Sequence, residues 1–348
     1  MAVARAGGFA ATKDAADPAT VSPDDIAARH QPVMLAETLA YLAPERGGLF
    51  LDGTLGLGGH TAALLDAAPN VRVIGLDQDR VALDLATQRL AHYGARFQAV
   101  HGNFGDLANL AQVHGWPEFN GVLVDLGVSS VQFDTPERGF SFRYDAPLDM
   151  RMDGSDEVAT AADLLAQSDE TELARIIYEY GEERHSRRIA RRIVERREAG
   201  RPVTTTLELA DLVARSMRPA RHQEIHPATR TFQALRIAVN RELAQLENFL
   251  PAALERLARD GRLVVISFHS LEDRIVKRTL RRWSGQCECP PRQPFCNCGA
   301  RAWVEILTRR PVTPDAAESA ANPRARSAKL RACRRSSPDA PDTSVNYE

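Results

Sequence analysis

No stretch of the chain comes near the ~18 consecutive apolar residues of a membrane span, and the first 29 residues, rich in Ala, Asp and Pro, contain no apolar run suited to a secretory leader. These absences lead to the expectation of a cytoplasmic protein without membrane contact. Cysteine is scarce as well. Five in 348 residues, four of them between Cys287 and Cys298, make no disulfide framework for a chain of this length, so reduced thiols or a metal are the better expectation. Net charge is nearly missing, at −2, but the balance conceals segregation. Acids crowd Asp14, Asp17, Asp24 and Asp25, whereas eight arginines against only Glu195 and Glu198 lie between Arg184 and Arg201. Six basic residues and no acid lie between Asn322 and Arg335. Such stretches suit a polyanion, with a solvated helix face and a loose basic tail as the plainer alternative.

What is present is enough apolar residue, 44%, to bury a full core in one large domain or two ordinary ones. From His30 onward short apolar runs alternate with helical stretches. Leu49 to Asp52, Val71 to Leu76, Phe97 to Val100 and Val122 to Val124 read as strands, with helices at Thr61 to Ala68 and Arg80 to Tyr93. This βαβ rhythm predicts a parallel sheet covered on both faces. From about Thr160 to Leu250 the chain reads as helix after helix. A buried strand then returns at Leu263 to Phe268, followed by a helix from Leu271 to Trp283, with Ser270 and Asp273 as a capping-box-like start. Trp303 to Leu307 is the last candidate, suited to an antiparallel edge. The economical architecture is a doubly wound sheet with a helical domain inserted between its fourth and fifth strands.

The loop Asp52-Gly53-Thr54-Leu55-Gly56-Leu57-Gly58-Gly59-His60 joins a strand to a helix through four glycines, which allow backbone to come close to a ligand. Asp77 closes the second strand, where a carboxylate in this topology binds the ribose hydroxyls of an adenine nucleoside. Two features argue against a dinucleotide. Thr61 replaces the third glycine of the G-x-G-x-x-G pattern, and Asp52 would repel a pyrophosphate yet attract the ammonium or sulfonium of S-adenosylmethionine. Phe104, after the third strand, can flank an adenine. Asp125, at the end of the fourth, puts a carboxylate where open α/β sheets bind ligands. The plainer alternatives are a tight turn for the glycines, a helix cap for Asp77 and a core position for Phe104.

With these residues in place the chain closely resembles the RsmH (MraW) family of bacterial 16S ribosomal RNA cytosine-N4 methyltransferases, over His30 to about Arg331. The likeness is carried by His30-Gln31-Pro32-Val33-Met34, Asp52-Gly53-Thr54, Gly58-Gly59-His60, Asp125-Leu126-Gly127-Val128-Ser129-Ser130 and Arg138-Gly139-Phe140-Ser141-Phe142. It continues through Pro147-Leu148-Asp149-Met150-Arg151-Met152-Asp153, Tyr180-Gly181-Glu182-Glu183-Arg184 and His226-Pro227-Ala228-Thr229-Arg230-Thr231-Phe232-Gln233. It ends with Ser267-Phe268-His269-Ser270-Leu271-Glu272-Asp273-Arg274 and Asn322-Pro323-Arg324-Ala325-Arg326-Ser327. The resemblance implies cofactor contacts at Gly58, Gly59, His60, Asp77, Phe104, Asp125 and Gln132. His60 and Gln132 rest on it alone. It also implies a substrate cytosine in the decoding region of 16S rRNA within the small ribosomal subunit; a homodimer is left open. The fold expected is a Rossmann-like class I S-adenosylmethionine methyltransferase sheet with an inserted all-helical domain. Its boundaries are a disordered tail over 1–29, methyltransferase parts over 30–145 and 246–332, a helical RNA-recognition insert over 146–245, and a disordered tail over 333–348.

The exocyclic amine of cytosine is a poor nucleophile because its lone pair is delocalised, so an acceptor beside its protons and exact placement must supply much of the rate. Asp125 is the candidate catalytic residue. Here the chain has Asp-Leu-Gly-Val where DNA amino-methyltransferases carry a D/N-P-P-Y/F-like loop, so Asp125 serving mainly the cofactor stays open. Phe140 and Phe142 are candidates for an aromatic platform under the base, against ordinary packing. Cys287-x-Cys289 and Cys296-x-Cys298 could hold a tetrahedral zinc, but their one-residue spacers are tighter than the usual C-x₂₋₄-C, so no metal is assigned and a thiol-rich hairpin is the alternative. Rival functions are another nucleic-acid amino-methyltransferase, a non-catalytic RNA-binding protein, which would not need the nucleoside pocket, and a nicotinamide oxidoreductase, which Asp52 and Thr61 disfavour.

Overall fold

A computed structural model describes residues 31–155, 158–217, 226–287, 289–290, 292–295 and 297–336. His30, Cys296 and the tails expected over 1–29 and beyond Arg335 lie outside the described residues, apart from Ser336. In chain order the first half runs α1 (Leu35–Leu42), β1 (Gly48–Asp52), α2 (Gly59–Ala67), β2 (Val71–Asp77), α3 (Arg80–Leu90), β3 (Phe97–His101), α4 (Leu107–Val113), β4 (Phe119–Asp125) and α5 (Ser130–Asp134). Then come α6 (Ala161–Gln167), α7 (Glu170–Gly181), α8 (Ser186–Glu198), α9 (Thr206–Ser216), α10 (Thr229–Asn240) and α11 (Glu242–Arg256). The chain closes with β5 (Leu257–Ser267), α12 (Ser270–Trp283), β6 (Val304–Ile306), α13 (Ala316–Ala321) and β7 (Lys329–Arg335).

The strands form one sheet in the order β3-β2-β1-β4-β5-β7-β6, parallel from β3 to β5, with β7 antiparallel to both its neighbours. Because side chains alternate across a strand, one face of the sheet collects Leu49, Leu51, Val122, Val124, Leu263 and Val265 under Phe249 and Leu254 of α11. The other collects Phe50, Val73, Leu123, Val264 and Ile266 with Leu64 and Leu65 of α2. Burial on both faces is why these strands read as unbroken apolar runs. Strand order reverses between β1 and β4, and a crevice opens there at the carboxyl ends. Between β4 and β5, helices α6 to α10 bury a separate cluster in which Ile176, Ile177, Ile189, Val213 and Leu235 are joined by Phe140, Leu148, Met150 and Met152. Among the described residues no helix is long and apolar enough to cross a membrane.

Three expectations need correction. The basic run to Arg335 is not a loose tail, since Lys329–Arg335 forms β7 inside the sheet and the boundary placed at 333 falls within it. Its charges are accommodated by pairing: Arg331 Nε donates to Asp273 Oδ1 at 2.6 Å, and buried Arg335 donates to the carbonyls of Leu257 and Glu255. The capping box of α12 is also one residue earlier than Ser270 and Asp273. His269 is the cap and Glu272 its partner, while Ser270 Oγ donates to Glu182 instead. The third correction concerns the aromatic platform and belongs to the site.

Candidate functional site

Strands β1, β2 and β4 each end on an aspartate: Asp52, Asp77 and Asp125. Asp52 is buried and Asp77 and Asp125 are largely so, and each consequently holds its proton more tightly than a free aspartate. Burial raises Asp52 to about 6 against the bonds it accepts from Thr61 Oγ1 and Thr54 N. Burial likewise lifts Asp77 to about 6, with the charges of Asp79 and Asp52 adding to the shift. Asp125 rises well above the ordinary value through burial and the charges of Asp52 and Glu272. A desolvated cluster of acids at the switch point of a parallel sheet is a place for a cation.

The glycine loop is shaped by these acids. Gly56, at φ 51°, donates its N–H to Asp77 Oδ2 at 2.7 Å, and Asp77 Oδ1 accepts from Asp79 N at 2.9 Å. Thr61, which replaces the third glycine of a dinucleotide loop, is there to bond Asp52 at 2.7 Å. A Cβ on Gly59 would meet Pro32 Cγ at 2.5 Å and one on Gly53 would meet Val124 Cγ1 at 2.7 Å, so both glycines let neighbouring walls close in.

The resulting cavity measures about 1280 Å³ and takes in Gly59, His60, Asp77, Phe104, Asp125 and Gln132 among its lining residues. Gly58 is not in that lining. It sits at φ 74° before α2, and a Cβ there would strike Leu90, so its part is to fit α2 against α3. Phe104 faces the cavity while meeting Phe249 edge-on at 5.4 Å. Gln132 is buried as the N3 residue of the α5 capping box, its Oε1 accepting from Ser129 N and its Nε2 donating to Asp79 Oδ2 at 3.0 Å. Arg138 Nη1 donates to the same Asp79 oxygen at 2.7 Å. Gln132 and Arg138 thus tie the loop after β4 to the acid two residues beyond Asp77.

His60 is buried, with Nε2 at 3.0 Å from the Val33 carbonyl and Nδ1 at 4.0 Å from Asp125 Oδ2. Burial lowers its pKa to about 4, so the ring is neutral near pH 7. Asp125 donates its backbone N–H to Thr54 Oγ1 at 2.7 Å, but its buried Oδ1 has no hydrogen-bond partner among the described residues. Deeper in the floor, Arg236 grips Glu242 with two bonds of 2.8 Å, and a ring nitrogen of His269 stands 3.1 Å from Glu272. Burial works to raise Glu272, yet His269 and Arg236 hold it below the usual glutamate value. Glu272 is thus shifted toward its ionised form beside Asp125, which is shifted the other way, a contrast suited to proton chemistry.

Phe140 and Phe142 do not form the aromatic platform. Phe140 is buried in the core of the helical insert, and Phe142 packs against His226 at 4.7 Å and Phe232 at 4.8 Å. The aromatics at the cavity are Phe133 and Phe268 beside Phe104. Phe133 has the guanidinium groups of Arg143 and Arg324 each 5.3 Å from its ring centre. Nothing in the local pattern distinguished Phe133; its neighbour Gln132 was the only signal. The C-terminal segment closes this side, Met34 N donating to Glu318 Oε1 at 2.6 Å and Arg324 pairing with Asp134 at 2.6 Å.

On the insert, Arg187, Arg188, Arg191 and Arg192 are exposed along α8. Arg191 and Arg192 make loose pairs with Glu170 at 3.6 Å and Glu195 at 3.4 Å. Arg197 instead donates from one nitrogen to the carbonyls of Leu165, Ala166 and Ser168, closing the end of α6, and Arg196 bonds Glu208.

A model of the MraW methylase family matches residues 27–336. The Ribosomal RNA small subunit methyltransferase H of Trichlorobacter lovleyi is 53% identical over 305 residues, covering 87% of this chain and 97% of its own. Its counterpart in Geobacter sulfurreducens is 54% identical with the same coverage, and that of Carboxydothermus hydrogenoformans is 50% identical over 303 residues, 87% of this chain and 96% of its own.

Proposed function

The chain belongs to the MraW methylase family, and from that premise we propose that it methylates the N4 amino group of one cytosine in the decoding region of 16S rRNA, in the small ribosomal subunit and in the cytoplasm. It is an S-adenosylmethionine-dependent methyltransferase of small-subunit ribosomal RNA. One observation supports the finer reading: Asp125, with a buried carboxylate oxygen that has no hydrogen-bond partner among the described residues, lines the same cavity as Asp77, and both acids are raised by burial.

The residues present fit S-adenosylmethionine. Asp77 is the acceptor for ribose hydroxyls, Phe104 offers a face for adenine, and the acids at the strand ends favour a cation. When bound, the cofactor supplies an electrophilic methyl group on sulfur. The chain's own residues do the rest. Asp125 accepts a hydrogen bond from the amino group, localising the nitrogen lone pair, and receives the proton that the amine loses. For this it must be ionised, a state that a nearby cation favours against the burial that raises its pKa. Phe133 borders the extruded base at the cavity wall, and Arg143 and Arg324, whose guanidinium groups lie over its ring, hold phosphate.

The test is mass spectrometry of ribonuclease fragments from cells lacking the protein. One decoding-site cytosine should be short of its amino methyl group, and an active copy should restore it. An unchanged methylation pattern overturns the substrate assignment.

A further inference from the structure

The described residues between 284 and 302 leave the body of the protein as an excursion between α12 and β6. Its ends are fastened: Ser284 bridges to Ala302, and Trp303 N donates to the carbonyl of buried Trp283 at 2.8 Å. Beyond that neck the described residues include almost nothing apolar to bury. Phe295 is 84% exposed, and Cys287, Arg292 and Cys298 are exposed too. A short segment without a core needs another source of order.

Thiols converge there. The sulfurs of Cys287, Cys289 and Cys298 all lie within 4.8 Å of one another, with Cys287 and Cys298 3.7 Å apart. That separation is nearly twice the ~2.05 Å of a disulfide bond. It does match the edge, about 3.8 Å, of a tetrahedron whose centre stands ~2.3 Å from each sulfur, the usual zinc–thiolate length. The tight Cys-x-Cys spacing, which argued against a metal in the sequence, has a use in the structure. With one intervening residue, Cys289 N turns back to donate to Cys287 Sγ at 3.4 Å, and such N–H bonds to sulfur stabilise a thiolate and orient it. The side chain of Asn297 approaches Cys289 Sγ at 3.6 Å from the other limb of the excursion.

We infer that Cys287, Cys289 and Cys298 together bind one structural zinc ion as thiolates, clasping the two limbs of the excursion. Binding releases the thiol protons to solvent and forms three sulfur–zinc bonds, without oxidation or reduction. The fourth vertex is filled from outside these three residues. None of the three lines the methyl-transfer cavity, so the ion orders a surface projection and takes no part in the chemistry.

The experiment uses the full chain, purified under thiol reductant and dialysed against metal-free buffer. Elemental analysis should find one equivalent of zinc. Replacement by cobalt should give the strong near-ultraviolet sulfur-to-metal absorption and the red bands of a tetrahedral thiolate site. Iodoacetamide should label Cys287, Cys289 and Cys298 only after a chelator has removed the metal. Cys298→Ser should reduce zinc retention at least roughly tenfold while S-adenosylhomocysteine affinity stays the same. Reduced protein that takes up neither zinc nor cobalt overturns the inference, and so does equal alkylation with and without chelator. Retention of full zinc by a folded Cys298→Ser protein would do the same. The cobalt and alkylation measurements on the unaltered chain decide the matter should that variant fail to fold.

Discussion

His60 Nδ1 and Asp125 Oδ2 stand 4.0 Å apart without forming an ion pair. The Val33 carbonyl can only accept, so Nε2 of His60 carries the ring proton and Nδ1 presents a lone pair. Burial lowers His60 to about 4 and raises Asp125 well above the ordinary aspartate value, so the two shifts move proton affinity from the ring toward the carboxyl. Asp125→Asn preserves shape and burial but removes the acceptor. It should leave S-adenosylhomocysteine binding within a few-fold and lower single-turnover methyl transfer by about 10²-fold or more. Transfer by the parent should rise with pH as Asp125 ionises. An unchanged rate in the variant would remove Asp125 from the chemistry.

Asp77 gives a prediction with a defined pH window. Ribose hydroxyls donate to its ionised form, whereas burial raises its pKa to about 6. Affinity for S-adenosylhomocysteine should therefore be lowest in acid, rise as pH passes through about 6, and level off above it. Asp77→Ala should weaken binding by about 1 to 3 kcal/mol and flatten that part of the profile, read by calorimetry at several pH values. A parental profile that is flat across this range would place the ribose elsewhere.

The parallel strands were legible where both faces are buried and an acid closes the run, as in Val71–Asp77 and Phe119–Asp125. Strand β7 was not, because four of its seven residues are basic and solvated charge is the ordinary reading of such a run. Its backbone pairs with β5 and β6, and its charges are accommodated by tertiary partners such as Asp273, Glu305 and the Leu257 carbonyl. The site divides the same way. Asp52, Asp77 and Asp125 follow from strand ends and loop chemistry, whereas the choice of Phe133 over Phe140 and Phe142 depends on how the insert packs.

Phe133 should matter to RNA and little to cofactor. Phe133→Leu keeps apolar volume but removes the ring between Arg143 and Arg324. The RNA KM should rise by an amount equivalent to about 1 to 3 kcal/mol, with S-adenosylhomocysteine affinity within twofold of the parent. Phe142→Leu, altering a ring packed on Phe232, should instead lower thermal stability and leave KM alone. The opposite pattern would return the platform to Phe142.

Arginines of α8 separate into two kinds. Arg197 closes the end of α6 through three carbonyls, so Arg197→Ala should destabilise the protein by about 1 to 3 kcal/mol with no direct effect on RNA contacts. Thermal unfolding with S-adenosylhomocysteine absent shows this; an unshifted transition would mean those carbonyls are served equally well by water.

Arg187, Arg188, Arg191 and Arg192 are the other kind, exposed on one helix of the insert and outside the cofactor cavity. The pairs that Arg191 and Arg192 make, at 3.6 Å and 3.4 Å, are solvent-exposed contacts that contribute little and yield readily to a phosphate. The burial of Arg331 and Arg335 in β7 removes much of the C-terminal run as a competing RNA surface, leaving Arg324 and Arg326 exposed there. Replacing the four arginines of α8 by Gln should leave S-adenosylhomocysteine affinity nearly intact and weaken RNA binding. The salt dependence of that binding should flatten by roughly 0.7 to 0.9 per lost phosphate contact. Cofactor and RNA terms thereby separate in one protein. If the fourfold variant binds its particle with unchanged affinity and unchanged salt slope, the helix is a solvated face and the backbone contact moves to Arg143, Arg324 and Arg326.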